Sequence, residues 1–249
     1  MMAVGVEAIP PVSRTEAELL AATEYRRVAE QLRSLGEDDW TQPTDCALWD
    51  VRAMAGHSVG MMSDFTSLRS VMRRMRAATK AAKAAGGPLV DSMTAMQVAE
   101  SSTLTPAELV ARVEEVGPRA AHWRTHAPRL LRRMPIKETV GGRPETWRIG
   151  YLLDTILTRD PWMHRVDIAR ATARDLVLTP DHDGRIVADV VAEWARRHAQ
   201  PFTLTLTGPA GGQFTAGDGE HITIDAIEFC RTLSGRASGS GLLTQEVPF

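Results

Sequence analysis

The sequence IGYLLDTILTRDPWMHRVDIARATAR, which spans residues 149–174, is the most informative segment of the chain. Its apolar residues recur every three or four positions, which predicts one face of an amphipathic helix. We expect this helix to run from about Glu145 to Arg174. A kink or local break is expected at Pro161, because proline lacks the N–H that a helix interior uses. A long amphipathic helix of this kind favours a helical bundle.

Two polar residues, Asp160 and His164, lie on the apolar face of this predicted helix. Their spacing of four places the carboxylate and the imidazole one turn apart, close enough to bind one ion from the same side. A buried carboxylate is unfavourable unless it is paired or bound to a metal. Asp167 lies one turn further along the same face, and we expect it to support the pair or to form an ion pair.

A second predicted helix begins at Val51 and continues to about Ala85. Its inward row contains one polar residue, His57, among the apolar residues Met54, Met61, Phe65 and Leu68. If the two helices are neighbours, His57 lies opposite Asp160 and His164. Three such ligands with an open position are typical of catalytic zinc, and their nitrogen and oxygen atoms also suit nickel or iron.

The residues alone leave other interpretations of these three side chains open. A single histidine on an apolar face, such as His57, is commonly a hydrogen-bonded core residue. An aspartate and a histidine four residues apart, such as Asp160 and His164, often form no more than an intrahelical hydrogen bond. The pattern therefore indicates either a divalent-metal site or two separate polar core features.

Helices dominate the first two thirds of the chain. Besides the two helices described above, we expect one over residues 15–35 and another that starts after Thr105-Pro106. Residues 1–13 are predicted to be a loose lead-in, and residues 128–146 an irregular connection. Four helices of this length predict an N-terminal bundle at residues 1–178.

The pattern changes near Thr179. An amphipathic helix capped by Asp181 or Asp183 is followed by the alternating sequence Phe202–Thr207, which predicts a half-buried strand. Further elements are expected in this order: short strands at 213–216 and 221–224, a helix from Asp225 to about Leu233, and a final strand at 242–247. The fold class is therefore α+β, with a small α/β domain at residues 179–249.

Composition excludes several classes of protein. The formal net charge of −2 gives no electrostatic reason to expect nucleic acid as a partner. No apolar stretch approaches the roughly 20 residues that a membrane-spanning helix needs, and the N-terminus lacks the pattern of a signal peptide. Cys46 and Cys230 lie far apart and form no metal-binding motif, so we expect two reduced thiols in a cytoplasmic protein.

Three segments together resemble one known family, the mycothiol-dependent maleylpyruvate isomerases, within the DinB-like superfamily of metal-binding four-helix bundles. The resemblance covers nearly the whole chain, with the segments in the same order. These segments are WDVRAMAGH at 49–57, RDPWMHRVDIARA at 159–171, and IEFCRTLSGR at 227–236 with GLL at 241–243. It implies a DinB-like bundle followed by a small C-terminal domain. It also implies that His57, Asp160 and His164 hold a metal, usually zinc. The isomerase uses glutamate where this sequence has the shorter Asp160.

The resemblance further implies a small-molecule enzyme with a low-molecular-weight thiol, mycothiol or a similar compound, as its nucleophile. Such an enzyme acts as an isomerase or an S-transferase on an electrophilic, carboxylate-bearing substrate. Arg236, in the matching Gly-Arg, is the first candidate to bind the carboxylate and Arg231 is the second; either could instead be a surface arginine. A non-enzymatic metal-binding or regulatory protein and a metal-dependent hydrolase are the alternatives. We expect a monomer or a homodimer, without nucleic-acid or membrane partners.

Overall fold

A computed structural model describes residues 3–249 and divides the chain into two compact units, both discontinuous in sequence. The bundle unit comprises Arg14–Arg133 and Asp160–Asp175. The mixed unit comprises residues 3–13, Met134–Arg159 and Leu176–Phe249. Within residues 3–249, no helix combines the length and the apolar composition needed to cross a membrane.

Helices predominate, and the strands are short. The α-helices are α1 (Arg14–Ser34), α2 (Val51–Asp64), α3 (Leu68–Ala85), α4 (Leu89–Ser101), α5 (Pro106–His126), α6 (Arg129–Arg133), α7 (Ile149–Tyr151), α8 (Leu157–Thr172), α9 (Arg185–His198) and α10 (Ala226–Leu233). The strands are β1 (Val4–Gly5), β2 (Pro135–Val140), β3 (Arg143–Arg148), β4 (Phe202–Thr207), β5 (Gly212–Thr215) and β6 (Glu220–Asp225). This mostly helical architecture with a small C-terminal sheet region confirms the predicted fold class.

In the bundle unit, α1 packs against α5, and α2 packs against both α4 and α5. The approach of α4 to α2 requires glycine at position 60, because a Cβ there would lie 2.5 Å from the Cβ of Gln97. The Thr105 side chain accepts a hydrogen bond from the Glu108 N–H and caps α5, which starts at the Thr-Pro sequence where a helix was predicted. The core of the unit is aliphatic with a few large side chains, among them Trp162, Tyr25 and Met54.

The predicted helix from Val51 to Ala85 is two helices, so its continuity was wrong. Phe65 ends α2, and the Ser67 side chain accepts a hydrogen bond from the Ser70 N–H to start α3. Arg74 of α3 forms a buried ion pair at 2.8 Å with Asp64, the last residue of α2, which ties the start of α3 to the end of α2. A further helix, α4, was not predicted.

The irregular connection predicted at 128–146 contains regular structure instead. Helix α6 is followed by the antiparallel hairpin of β2 and β3, in which Val140 pairs with Arg143. Gly141 and Gly142, with φ of 55° and 73°, form its two-residue turn, and both angles favour glycine. The fourth helix consequently starts at Ile149 rather than near Glu145.

The irregularity expected at Pro161 lies about two turns earlier. Residues Leu152–Ile156 form a π-helical turn, and α8 begins directly after it at Leu157. Pro161 therefore lies in the first turns of α8, after the π-helical turn. From Asp160 onward, α8 belongs to the bundle unit.

The mixed unit is built on a four-stranded sheet in the order β1-β5-β4-β6. Strand β4 pairs in parallel with β6 and antiparallel with β5, close to the predicted positions of these strands. The supposed lead-in supplies β1, which pairs with β5. Trp194 of α9 packs against Phe202 and Phe229, with ring centroids 4.7 and 5.3 Å away. The strand predicted at 242–247 was wrong, because Gly241–Thr244 form a 3-10 turn.

The division of the sequence into domains at residues 1–178 and 179–249 stays a prediction. The two structural units have other boundaries than the predicted domains, because β1 and the hairpin of β2 and β3 belong to the mixed unit. The pairing of β1 with β5 brings the N-terminal segment into this unit.

Candidate metal centre

Helices α2 and α8 bring the three predicted ligands together in the bundle unit. The Asp50 side chain accepts a hydrogen bond from the Ala53 N–H at 2.7 Å and fixes the start of α2. His57 follows two turns later and is 6% exposed. On α8, Asp160 and His164 lie one turn apart, and His164 is 5% exposed.

The ligand atoms of these residues lie within 4.8 Å of one another. His57 Nε2 is 3.3 Å from Asp160 Oδ2, and His164 Nε2 is 3.2 Å from Asp160 Oδ1. Two ligands bound tetrahedrally to zinc at about 2.0–2.1 Å are separated by roughly 3.3 Å. The spacing of these donors therefore fits a small divalent cation, and the short Asp160 side chain reaches both imidazoles.

Hydrogen bonding of the buried imidazoles also fits a cation. His164 Nε2 is buried and has no hydrogen-bond partner of adequate geometry among the described residues, although Asp160 is close. A buried nitrogen in this condition is unfavourable, and a metal ion would satisfy it. The Asp160 side chain is 24% exposed, so the cluster is open to ligands on that side.

The charges in the cluster are strongly coupled. Burial by itself would raise the pKa of Asp160, but the neighbouring His164 and His57 hold that pKa well below its usual range. Burial would lower the pKa of His164, yet the charge of Asp160, helped by the charge and hydrogen bond of Asp167, raises it to about 9. Without a metal, His164 is therefore protonated at neutral pH, and metal uptake must displace that proton.

Asp167 contacts His164 on the ring nitrogen that faces away from Asp160, in agreement with the expectation that it supports the pair or forms an ion pair. Its carboxylate is fully buried, and Oδ2 is 3.3 Å from His164 Nδ1. A carboxylate that accepts the second ring N–H of a ligating histidine fixes the orientation of the ring and strengthens the ligand. A ligand atom of Cys46 also lies within 4.8 Å of those of His164 and Asp167.

Sequence reasoning missed the aromatic side chain that covers the imidazoles. The Trp49 ring centroid is 4.8 Å from that of His57 and 5.9 Å from that of His164. The signal in the sequence was that Trp49 directly precedes Asp50, the N-terminal cap of the helix that carries His57. A second missed feature is Tyr25, fully buried on α1, whose hydroxyl accepts a hydrogen bond from Arg124. Burial raises the pKa of Tyr25, and the Asp160 charge adds to that effect.

The two candidate substrate arginines belong to the mixed unit, whereas the three candidate ligands belong to the bundle unit. Arg231 is buried on α10 and donates from Nη1 to Glu228 at 2.7 Å. Arg236 is half-buried just beyond α10, and its backbone N–H donates to the Arg231 carbonyl at 2.9 Å. The C-terminal part of α10 thus places the two arginines near each other.

The fold and the cluster define a helical-bundle protein with a buried His–Asp–His candidate metal centre. The family model described as the mycothiol maleylpyruvate isomerase N-terminal domain matches residues 21–169, more than half of the chain. The chain therefore belongs to the mycothiol maleylpyruvate isomerase N-terminal domain family, which confirms the resemblance found in the sequence.

Two solved structures have a similar fold. A crystal structure of a mycothiol-dependent maleylpyruvate isomerase aligns with a TM-score of 0.55 at 16% identity, covering 95% of this chain and 94% of that chain. A crystal structure of a histidine-to-alanine mutant of a mycothiol-dependent maleylpyruvate isomerase aligns with a TM-score of 0.54 at 16% identity, covering 94% and 93%. At this identity the likeness concerns the fold. A comparison with curated protein sequences found no match.

Proposed function

We propose that this chain is a metal-dependent enzyme that uses mycothiol, or a similar small thiol, to isomerise an electrophilic carboxylate-bearing substrate or, as an S-transferase, to attach the thiol to it with displacement of a leaving group. The observation that carries the proposal is the set of three donor atoms in the bundle, in a chain that belongs to this family. Zinc is the expected ion, with nickel and iron as alternatives, because the donors are two imidazoles and a carboxylate.

His57, Asp160 and His164 would hold the ion, and Asp167 would orient His164. When bound, the metal would lower the pKa of a coordinated thiol so that the thiolate forms at neutral pH. Asp160 contributes negative charge on the partly exposed side of the cluster. The Trp49 ring packs against both imidazoles and shields that part of the cluster from water.

Arg236, and after it Arg231, would bind the substrate carboxylate. A guanidinium offers two parallel N–H donors that match the two oxygens of a carboxylate. Arg231 donates from Nη1 to Glu228, which holds its guanidinium against α10. The backbone N–H of Arg236 donates a hydrogen bond to the Arg231 carbonyl at the end of α10. This bond fixes the position of the Arg236 backbone, from which its side chain extends.

The proposed activity is tested with purified protein, maleylpyruvate as the trial substrate, and mycothiol. Turnover is expected to require both the thiol and the metal, so that removing the metal with a chelator abolishes it and adding zinc restores it. Turnover that needs the metal but not the thiol would indicate a hydrolase instead. A protein that takes up no metal under any of these conditions would support a non-enzymatic role.

Replacing Arg236 by alanine is expected to raise KM for a carboxylate substrate by roughly 10- to 100-fold, because charged hydrogen bonds contribute about 1.5–3 kcal/mol. Arg236→Lys should recover part of this loss, since lysine keeps the charge but not the paired donors. Steady-state kinetics check the prediction, with Arg143→Ala, an exposed arginine of the same unit, as the control. An unchanged KM in Arg236→Ala would remove this residue from the substrate site.

A further inference from the structure

A second cluster of metal-binding side chains lies on the surface of the bundle unit. It consists of Glu18 on α1 and of His122 and His126 on α5, and one ligand atom from each lies within 4.8 Å of the others. The two histidines are four residues apart, so they share one face of α5 at the point where α1 packs against it. Their side chains are 65% and 60% exposed, and that of Glu18 is 32% exposed.

The cluster is already held in a defined arrangement. His122 Nδ1 is 2.9 Å from Glu18 Oε1, and His126 Nδ1 is 3.7 Å from Glu18 Oε2. The two imidazole rings stack with centroids 4.0 Å apart and an angle of 26° between their planes. Thr125 Oγ1 donates to Glu18 Oε2 at 2.8 Å and keeps the carboxylate beside the rings. An ion would therefore meet three donors that need little rearrangement.

The hydrogen bonds also determine which ring nitrogen of each histidine carries the proton in the ion-free protein. The His122 carbonyl can only accept, so the 2.9 Å contact to His126 Nδ1 places the proton on that nitrogen. An ionised Glu18 likewise only accepts, which places the proton of a neutral His122 on Nδ1. Both Nδ1 atoms therefore carry a proton in the ion-free protein, and an ion bound between them and Glu18 would move each proton to the exposed Nε2 of its ring.

We propose that Glu18, His122 and His126 form a second, solvent-exposed site for a divalent transition-metal ion such as zinc, nickel or copper. Two imidazoles with one carboxylate suit these ions, whereas calcium and magnesium prefer sites made of several oxygens. The site is separate from the buried centre and shares no ligand with it.

The surface next to the site is concave. Glu18 and His126 line a groove of about 350 Å³ that Arg14 and Arg129 also border. A bound ion would keep coordination positions open towards water and this groove, so it would exchange faster than an ion at the buried His57 centre. Arg14 and Arg129 make the neighbourhood suitable for an anionic ligand of the ion.

The proposal is tested by retention of the untagged protein on an immobilised Ni²⁺ column at neutral pH. An immobilised ion reaches exposed imidazoles but not the buried pair, so wild type and His57→Ala are both expected to be retained. His122→Asn and His126→Asn are expected to elute at lower imidazole, and the double variant in the flow-through. His221→Asn, which removes an exposed histidine of the mixed unit, is the control and should behave as wild type.

Equilibrium dialysis with Zn²⁺ gives the stoichiometry. Wild type is expected to bind one equivalent more than His122→Asn/His126→Asn, and the same difference is expected in a His57→Ala background. Glu18→Gln should weaken the second equivalent by at least about tenfold. Elution of the double variant together with wild type, or an unchanged stoichiometry, would overturn the proposal without bearing on the buried centre.

Discussion

Replacing His57 or His164 by alanine is expected to abolish stoichiometric metal binding at the buried centre, and with it the proposed activity. Complete zinc sites in small proteins bind with about 10–16 kcal/mol, so losing one of three protein ligands should remove roughly 3–5 kcal/mol. That loss corresponds to a decrease in affinity of about 10²- to 10⁴-fold. Asp160→Asn should have a comparable effect, because it removes the negative charge and leaves the shape nearly unchanged.

Metal content by elemental analysis, after dialysis against a weak chelator, measures this loss. His221→Ala provides the control, since this exposed histidine belongs to the mixed unit, where its Nδ1 lies 2.5 Å from Thr203 Oγ1. Circular dichroism of each variant separates loss of the site from loss of the fold. Wild-type metal content in both His57→Ala and His164→Ala would show that these histidines are core residues and would remove the basis of the proposed enzyme.

The buried centre was accessible to sequence reasoning because it breaks a strong pattern. A polar residue in an apolar row is easy to recognise when the row has a clear helical period. His57 in α2 and His164 in α8 are such residues. The pattern could not give the distance between the two helices, and it gave no sign that Trp49 covers the imidazoles. Both depend on the tertiary packing of α2 and α8.

The errors in the fold have a different physical origin. The hairpin of β2 and β3 was missed because its strands are polar and half-exposed, although Gly141-Gly142 is a hairpin signal. The break after Phe65 depends on Ser67 as a cap, inside a run that otherwise favours helix. Strand β1 could not be predicted from local sequence, since two residues acquire strand structure only by pairing with β5.

Replacing Glu24 by glutamine is expected to destabilise the protein by about 3–5 kcal/mol, because it removes the buried negative charge that pairs with the Arg165 guanidinium. Glu24 of α1 is fully buried, and Arg165 of α8 is 2% exposed. Arg165 Nε donates to Glu24 Oε1 at 2.6 Å, and Nη2 donates to Oε2 at 3.3 Å. For a chain of this size the melting temperature should fall by roughly 6–20 °C.

Thermal and urea unfolding of the metal-free protein check this value. Glu30→Gln is the matched control on the same helix, because Glu30 pairs with Arg26 at the surface, where both side chains are more than half exposed. Removing such a pair should change stability by less than about 1 kcal/mol. The double variant Glu24→Gln/Arg165→Met should lose less than the sum of the single variants, since the two residues interact directly.

The pair also connects stability to the metal centre, because Arg165 follows His164 directly in α8. Gln31 of α1 donates from Nε2 to the Arg165 carbonyl at 2.9 Å, so two contacts from α1 fix the rotation of α8 at this point. If these contacts aim His164 at His57, Glu24→Gln should lower metal affinity as well as stability, and Glu30→Gln should change neither. An affinity that stays at the wild-type value in Glu24→Gln would mean that Asp160 and Asp167 suffice to orient His164, and that the ion pair with α1 serves the fold alone.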